Sequence, residues 1–204
     1  VVKNCTVHDT HGPYNNNNGG VMLGFSAVDN IIVKGNVLYD NYDHVDLGKR
    51  SGFNTGGIWA YRTTNSVFEE NTIYNQPHGL GIRFKHIDNA HNIIRNNDVR
   101  NVGIGISAGY GNAQNYTIYG NVFYDVLGVG IQITADDPSG VYGAYVYDNT
   151  VFGGGTGIGF RTEETVSDLK VKNNLFYNLY DGTCWPSHDH AEKDFVKKDT
   201  EAIW

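Results

Sequence analysis

Residues 120–134 read GNVFYDVLGVGIQIT. They hold two short β-like runs, 121–124 and 130–133, joined by a bend that carries Gly128. Nearly the same pattern recurs along the chain. Asn71-Thr72-Ile73-Tyr74 precedes Gly79-Leu80-Gly81-Ile82, and Asn97-Asp98-Val99-Arg100 precedes Gly103-Ile104-Gly105-Ile106. Asn149-Thr150-Val151-Phe152 leads into Gly155-Thr156-Gly157-Ile158. Self-similarity at a near-constant period marks a chain built from stacked structural repeats.

Aligned on the recurrent asparagine, the repeats are set by Asn36, Asn71, Asn97, Asn121, Asn149 and Asn174, with Cys5 in that place first. The intervals are 31, 35, 26, 24, 28 and 25 residues. A further apolar run precedes each asparagine, among them Ile31-Ile32-Val33, Val67-Phe68, Ile93-Ile94 and Tyr116-Thr117-Ile118. Each repeat therefore reads as one solenoid coil: strand, asparagine bend, strand, bend, glycine strand, bend. No coil buries its apolar face alone, so the neighbours above and below supply the core. Period-two alternation predicts three inward columns. The first is Val33, Phe68, Ile94, Ile118, Val146, Val171; the second is Leu38, Ile73, Val99, Phe123, Val151, Phe176. The third is Val21, Ile58, Ile82, Ile106, Ile131, Ile158. Like stacks on like in all three.

A bend leaves backbone N–H and C=O groups off the sheet ladders, and these cannot be buried unpaired. An asparagine side chain tolerates left-handed geometry and bonds both its local backbone and the next coil. The asparagine column is thus expected to be scaffold. Loop length varies more than the strands do. Residues 8–19 and 40–56 are long insertions before the glycine strands of the first two coils, on one edge; 135–142 and 162–167 are longer bends on the other. Insertions on one edge of a solenoid are where binding walls are built.

Composition agrees. Twenty-six glycines and fourteen tyrosines suit pleated half-buried surfaces better than helices. The formal charge of −7 argues against a partner read through its phosphate backbone, which needs a basic face, so no nucleic-acid partner is expected. No membrane span or leader is legible. The chain begins inside a repeat, so the expectation is that coils missing at the N-terminal end are completed by the remainder of a larger chain or another subunit. Residues 1–181 form the repeat domain, and 182–204, charged and without strand period, a cap or tail. Cys5 and Cys184 lie about six rungs apart, roughly 29 Å. A disulfide needs Cα atoms within about 7 Å, so none is expected between them.

The asparagine bend, the Gly-x-Gly-Ile strand and these coil lengths resemble the right-handed parallel β-helix of the pectate-lyase-like superfamily. The expected fold is all-β, a β-helix solenoid of about six to seven coils of three short strands. The resemblance implies a secreted or cell-surface protein whose partner is a polysaccharide, with lyases, glycoside hydrolases and non-catalytic surface modules all represented.

Where chemistry would sit follows from the outward side of the glycine strands. Alternation places Met22, Trp59, Arg83, Ser107, Gln132 and Gly159 in one outward column. Gly24, Tyr61, Lys85, Gly109, Thr134 and Arg161 fill its neighbour. Trp59, Tyr61, Arg83 and Lys85 would then share one patch, about 5 to 7 Å from one another. Sugar rings pack on aromatic faces, and Arg or Lys engages carboxylates. For a lyase, the resemblance implies Lys85 or Arg83 as base and Tyr61 as proton donor to the leaving oxygen. Trp59, His78, His86, Gln132 and Arg161 would bind substrate. The resemblance implies either no cofactor or calcium, for which Asp40, Asp43 and Asp46 on the second insertion offer oxygen ligands. A glycosidase instead needs two carboxyl groups about 5 to 10 Å apart. Asp136 and Asp137 would face Glu163 and Glu164 across one rung for that purpose.

Overall fold

The computed structural model describes residues 1–12, 21–43, 56–135, 140–162, 166–179, 192–194 and 202–203. Two parallel sheets run the length of these residues, and between them the coils stack. The first holds seven strands: Val2–Lys3, Ile32–Lys34, Val67–Glu69, Ile93–Arg95, Ala113–Tyr119, Val141–Tyr147 and Val166–Lys172. The second has eleven and carries both remaining runs of each coil. The expected column partners are neighbours in register. Val33, Phe68, Ile94, Ile118, Val146 and Val171 stack directly, as do Leu38, Ile73, Val99, Phe123, Val151 and Phe176. From Val33 to Val151 these side chains are fully buried. Chemically similar side chains at one-rung spacing fill the same volume in every coil, so the core is continuous along the axis.

Three details differ from the sequence expectation. The coils are not uniformly three short strands. In coils three to six the second and third runs merge into Thr72–Lys85, Asp98–Gly109, Val122–Ala135 and Thr150–Thr162. Single left-handed residues at Asn75, Asn101, Asp125 and Gly153 turn the backbone, and the ladder slips past each turn without ending. These four coils are the regular ones. In coil two, where the insertion intervenes, Val37–Tyr39 and Gly56–Tyr61 stay separate.

The second difference is a register in coil one. Leu23, not Val21, stacks on Ile58, and Gly24 and Ser26, not Met22 and Gly24, stand beside Trp59 and Tyr61. A two-residue slip keeps every side chain on its own face, so alternation is blind to it. Backbone pairing at the far end decides the register, through Ala27 N–H to the Tyr61 carbonyl and the Asp29–Thr64 bridge.

Thirdly, the left-handed residue at each bend is the one before the column position, Asn4 before Cys5 and then Gly35, Glu70, Asn96, Gly120, Asp148 and Asn173 before the asparagines. The asparagine then turns its side chain inward, fully buried. Asn71 donates from both its backbone and side-chain nitrogens to Asn97 Oδ1, at 3.0 and 2.9 Å. Asn97 donates in the same way to Asn121, and so on to Asn174. Similar links recur at other bends, where Thr63 and Ser66 N–H donate to Asn89 and Asn92, and Thr10 N–H to Asn41.

The outer side of the first sheet carries an ion-pair ladder. Glu69, nearly buried, accepts from Lys34 Nζ at 3.0 Å and from Arg95 at 2.6 Å. The Lys34 hydrogen bond, ahead of Arg95 and against some desolvation, holds the Glu69 carboxyl below its usual range. A lowered carboxylate contributes stability above its unfolded value and loses it as pH falls through the folded one. The urea midpoint should therefore drop on acidification through the carboxylate range, and Glu69→Gln should flatten part of that drop. Superimposable acid profiles for the two proteins would contradict it.

Cys5 is exposed and free; Cys184 lies outside the described residues. Among the described residues no helix is long and apolar enough to cross a membrane. The last regular strand, Leu175–Leu179, pairs with the first part of Thr150–Thr162. Glu192–Asp194 instead pairs antiparallel with residues 159–161, and Ala202–Ile203 with Leu175 and Phe176. Edge strands left open are templates for unwanted pairing, and these two short strands occupy them.

Candidate functional site

The glycine strands carry Trp59, Tyr61, Arg83, Lys85, Gln132 and Arg161 of the residues singled out from sequence. Register sets Gly24, Trp59, Arg83, Ser107, Gln132 and Gly159 in one line. Beside it Ser26, Tyr61 and Lys85 stand in register, as do Gly109, Thr134 and Arg161, while the ladder joining coils three and four reaches as far as Arg83 and Ser107. Arg83 lies over the Trp59 ring, its Cζ 5.0 Å from the centroid. Trp59 and Tyr61 rings are 5.7 Å apart, and Tyr61 and His86 5.1 Å. Arg83 and Lys85 are half-buried, and both are engaged by neighbours.

Trp59 is less open than alternation suggests, at 5% exposure. Its indole folds back over Gly56, where a Cβ would stand 2.2 Å from Nε1. That nitrogen is buried with no hydrogen-bond partner among the described residues. Gly56→Ala is expected to push the indole out and shift tryptophan emission to the red. The shift should vanish in a Trp59→Phe background; an unaltered spectrum would place the ring elsewhere.

Burial raises the Tyr61 phenol pKa, with the Arg83 charge pulling the other way. The phenol is thus protonated at neutral pH and able to donate. Beyond Arg83 and Lys85, the floor is neutral and closed. Ser107, Gln132 and Thr134 are each buried, with Ser107 Oγ 3.4 Å from Thr134 Oγ1 and Thr134 Oγ1 3.4 Å from Gln132 Oε1. The floor here is made of hydroxyls and an amide at low exposure.

Sequence reasoning passed over Tyr110. It stands 6.1 Å from His86, at the left-handed residue that ends the glycine strand of coil four. Arg62 and His86 hold the same left-handed place in coils two and three. The signal was available as the position directly after each outward pair, although alternation assigns it no direction.

The remaining candidates are dispersed. His78 falls where the ladder slips between Gln76 and Leu80. Arg161 stands in register with Thr134 on one side and Glu192 on the other. Asp136, Asp137, Glu163 and Glu164 lie outside the described residues. Asp40 ends the second strand of coil two in a left-handed conformation, and Asp43 pairs with Gly12 in a two-stranded sheet. Asp46 lies outside the described residues. Among the described residues no three His, Cys, Asp or Glu side chains converge on one point.

A second aromatic feature runs down the outer side of the middle strands, three residues after each bend position. His8, Tyr39 and Tyr74 stack at 4.9 and 5.0 Å, and Tyr124, Phe152 and Tyr177 at 5.1 and 5.3 Å. Arg100 separates the two stacks and pairs with Asp98. Ring faces within each stack are occupied by one another, at interplanar angles of 6 to 18°. That arrangement stabilises the solenoid, and the middle rings Tyr39 and Phe152 have both faces taken.

A family model described as the right-handed β-helix region matches residues 1–143. No curated protein and no solved structure matches the chain.

Proposed function

This chain belongs to the right-handed β-helix family, and from that premise we propose that it is an extracellular polysaccharide lyase cleaving a uronate-containing glycan by β-elimination. The family is compatible with polysaccharide-active proteins. The observation that carries the finer reading is the cluster of Arg83 over Trp59, with Tyr61 beside them and Lys85 in the adjoining line of the same face.

In this reading Arg83 binds the uronate carboxylate and spreads its charge, which acidifies the proton on the adjoining ring carbon. Lys85, neutral at the moment of reaction, accepts that proton. The electron pair forms the ring double bond, the glycosidic C–O bond breaks, and Tyr61 donates its proton to the departing oxygen. Lys85 leaves protonated and Tyr61 deprotonated, and solvent resets both. His86 and Tyr110 border the patch and orient the chain. Calcium held by Asp40, Asp43 and Asp46 would serve the same charge-neutralising role as Arg83.

A non-catalytic glycan-binding module is the second reading, favoured by the contact that already holds the Arg83 guanidinium on a ring. A hydrolase would depend on Asp136, Asp137, Glu163 and Glu164. Incubation with uronic-acid polymers separates the three. Ultraviolet absorbance from unsaturated ends is the lyase result. New reducing ends without absorbance would mean hydrolysis, and glycan retention with neither signal would mean binding alone.

A further inference from the structure

We infer that the outer face of the middle strands carries a second glycan site, a slot for one all-equatorial pyranose such as a β-linked glucose or xylose unit. It lies at coil four, between the rings of Tyr74 and Tyr124, and is independent of the lyase reading. The support is the interruption of the aromatic ladder by one polar residue.

Register sets Tyr74, Arg100 and Tyr124 in one outward line. The two tyrosines are therefore two rungs apart, roughly 10 Å, which leaves one ring position between them. Each has one face on its own stack, Tyr74 on Tyr39 at 5.0 Å and Tyr124 on Phe152 at 5.1 Å. Among the described residues no further ring and no cation lies over either tyrosine. The faces turned toward coil four are unused.

Arg100 is the side chain that could fill the gap, and it turns away. Its guanidinium runs along its own strand to Asp98, donating from Nε to Oδ1 at 2.6 Å and from Nη2 to Oδ2. Each charge of the pair is answered by the other, and Nη1 keeps its N–H groups for an outside acceptor. The place is open to solvent. The Arg100 and Asp98 side chains are 56% and 33% exposed, and Tyr124 is 44% exposed.

An aromatic face is electron-rich and attracts the C–H groups of a sugar. A sugar on one ring needs C–H groups on one side only; a sugar between two rings needs them on both. A pyranose with every substituent equatorial meets that demand, because its axial positions all carry hydrogen. Mannose and galactose each hold one axial hydroxyl, which would be pressed on a ring face and lose its hydrogen bonds to water. Equatorial hydroxyls leave from the rim, where Arg100 Nη1 can donate and the Asp98 carboxylate can accept. A neutral sugar leaves that ion pair intact, whereas an added carboxylate would compete with Asp98 for Arg100.

Calorimetric titration of the whole chain with cellohexaose, xylohexaose and β-linked mannohexaose tests this. The first two should each bind at least about tenfold more tightly than mannohexaose. Arg100→Tyr supplies the missing ring from the chain itself. It should raise the urea midpoint by joining the two stacks, and weaken cellohexaose binding at least about tenfold. Tyr124→Ala should weaken binding as much, with circular dichroism verifying the fold. Failure of the unaltered chain to bind either all-equatorial oligomer overturns the inference, as does mannohexaose binding equal to theirs. Binding that survives Arg100→Tyr overturns it too, because the sugar would then lie elsewhere on the chain.

Discussion

Replacing Asn97 by alanine is expected to lower folding stability by about 3–5 kcal/mol, since each buried polar group left unsatisfied costs about 1–3 kcal/mol. Asn97 Oδ1 accepts from the backbone and side-chain nitrogens of Asn71, and its own amide donates to Phe68 O, Arg95 O and Asn121 Oδ1. The residue is 1% exposed, so water does not replace these partners. Asn97 also sits mid-column, where coils on both sides lose their link at once. Urea denaturation measures the loss directly. A change below about 1 kcal/mol, the scale of an ordinary net hydrogen bond, would mean the column contributes little beyond the ladders.

Removing the cations of coil three should have the largest effect on activity. Lys85→Ala and Arg83→Ala are each expected to reduce lyase turnover by about 10²–10⁴, the usual range for losing a general base or a charge-stabilising group. Folding should change little, because both side chains stand on the outer face and only half-buried. The Arg83 contact with Trp59 is worth about 0.5–2 kcal/mol. Arg83→Lys separates charge from geometry. It keeps the cation and loses the planar two-pronged donor, so a partial rescue identifies carboxylate binding. Undiminished turnover in both alanine variants, with the fold retained, would remove these residues from the reaction.

Much of this site was legible before any coordinates, and the reason is periodicity. Trp59, Tyr61, Arg83 and Lys85 share a face because alternation has period two and the coils repeat. The Asn36-to-Asn174 column was legible for the same reason. What alternation does not encode is a shift that preserves it, so the coil-one partners of Trp59 and Tyr61 were placed two residues away from Gly24 and Ser26. Nor does it encode a bend taken by one left-handed residue, such as Asn101 or Asp125, through which a strand continues.

By itself the sequence determined which side chains stack on which from coil two onward, because a parallel solenoid repeats one cross-section and every inward position must be filled alike. Only the tertiary structure decided how the shared face is finished: Arg83 lying over Trp59, the indole folded on Gly56, and Ser107, Gln132 and Thr134 closed from solvent. Stacking depends on a residue's place in its own coil, which the chain spells out. Exposure and unpaired donors depend on which side chains from other coils reach across, and no period in the sequence records that.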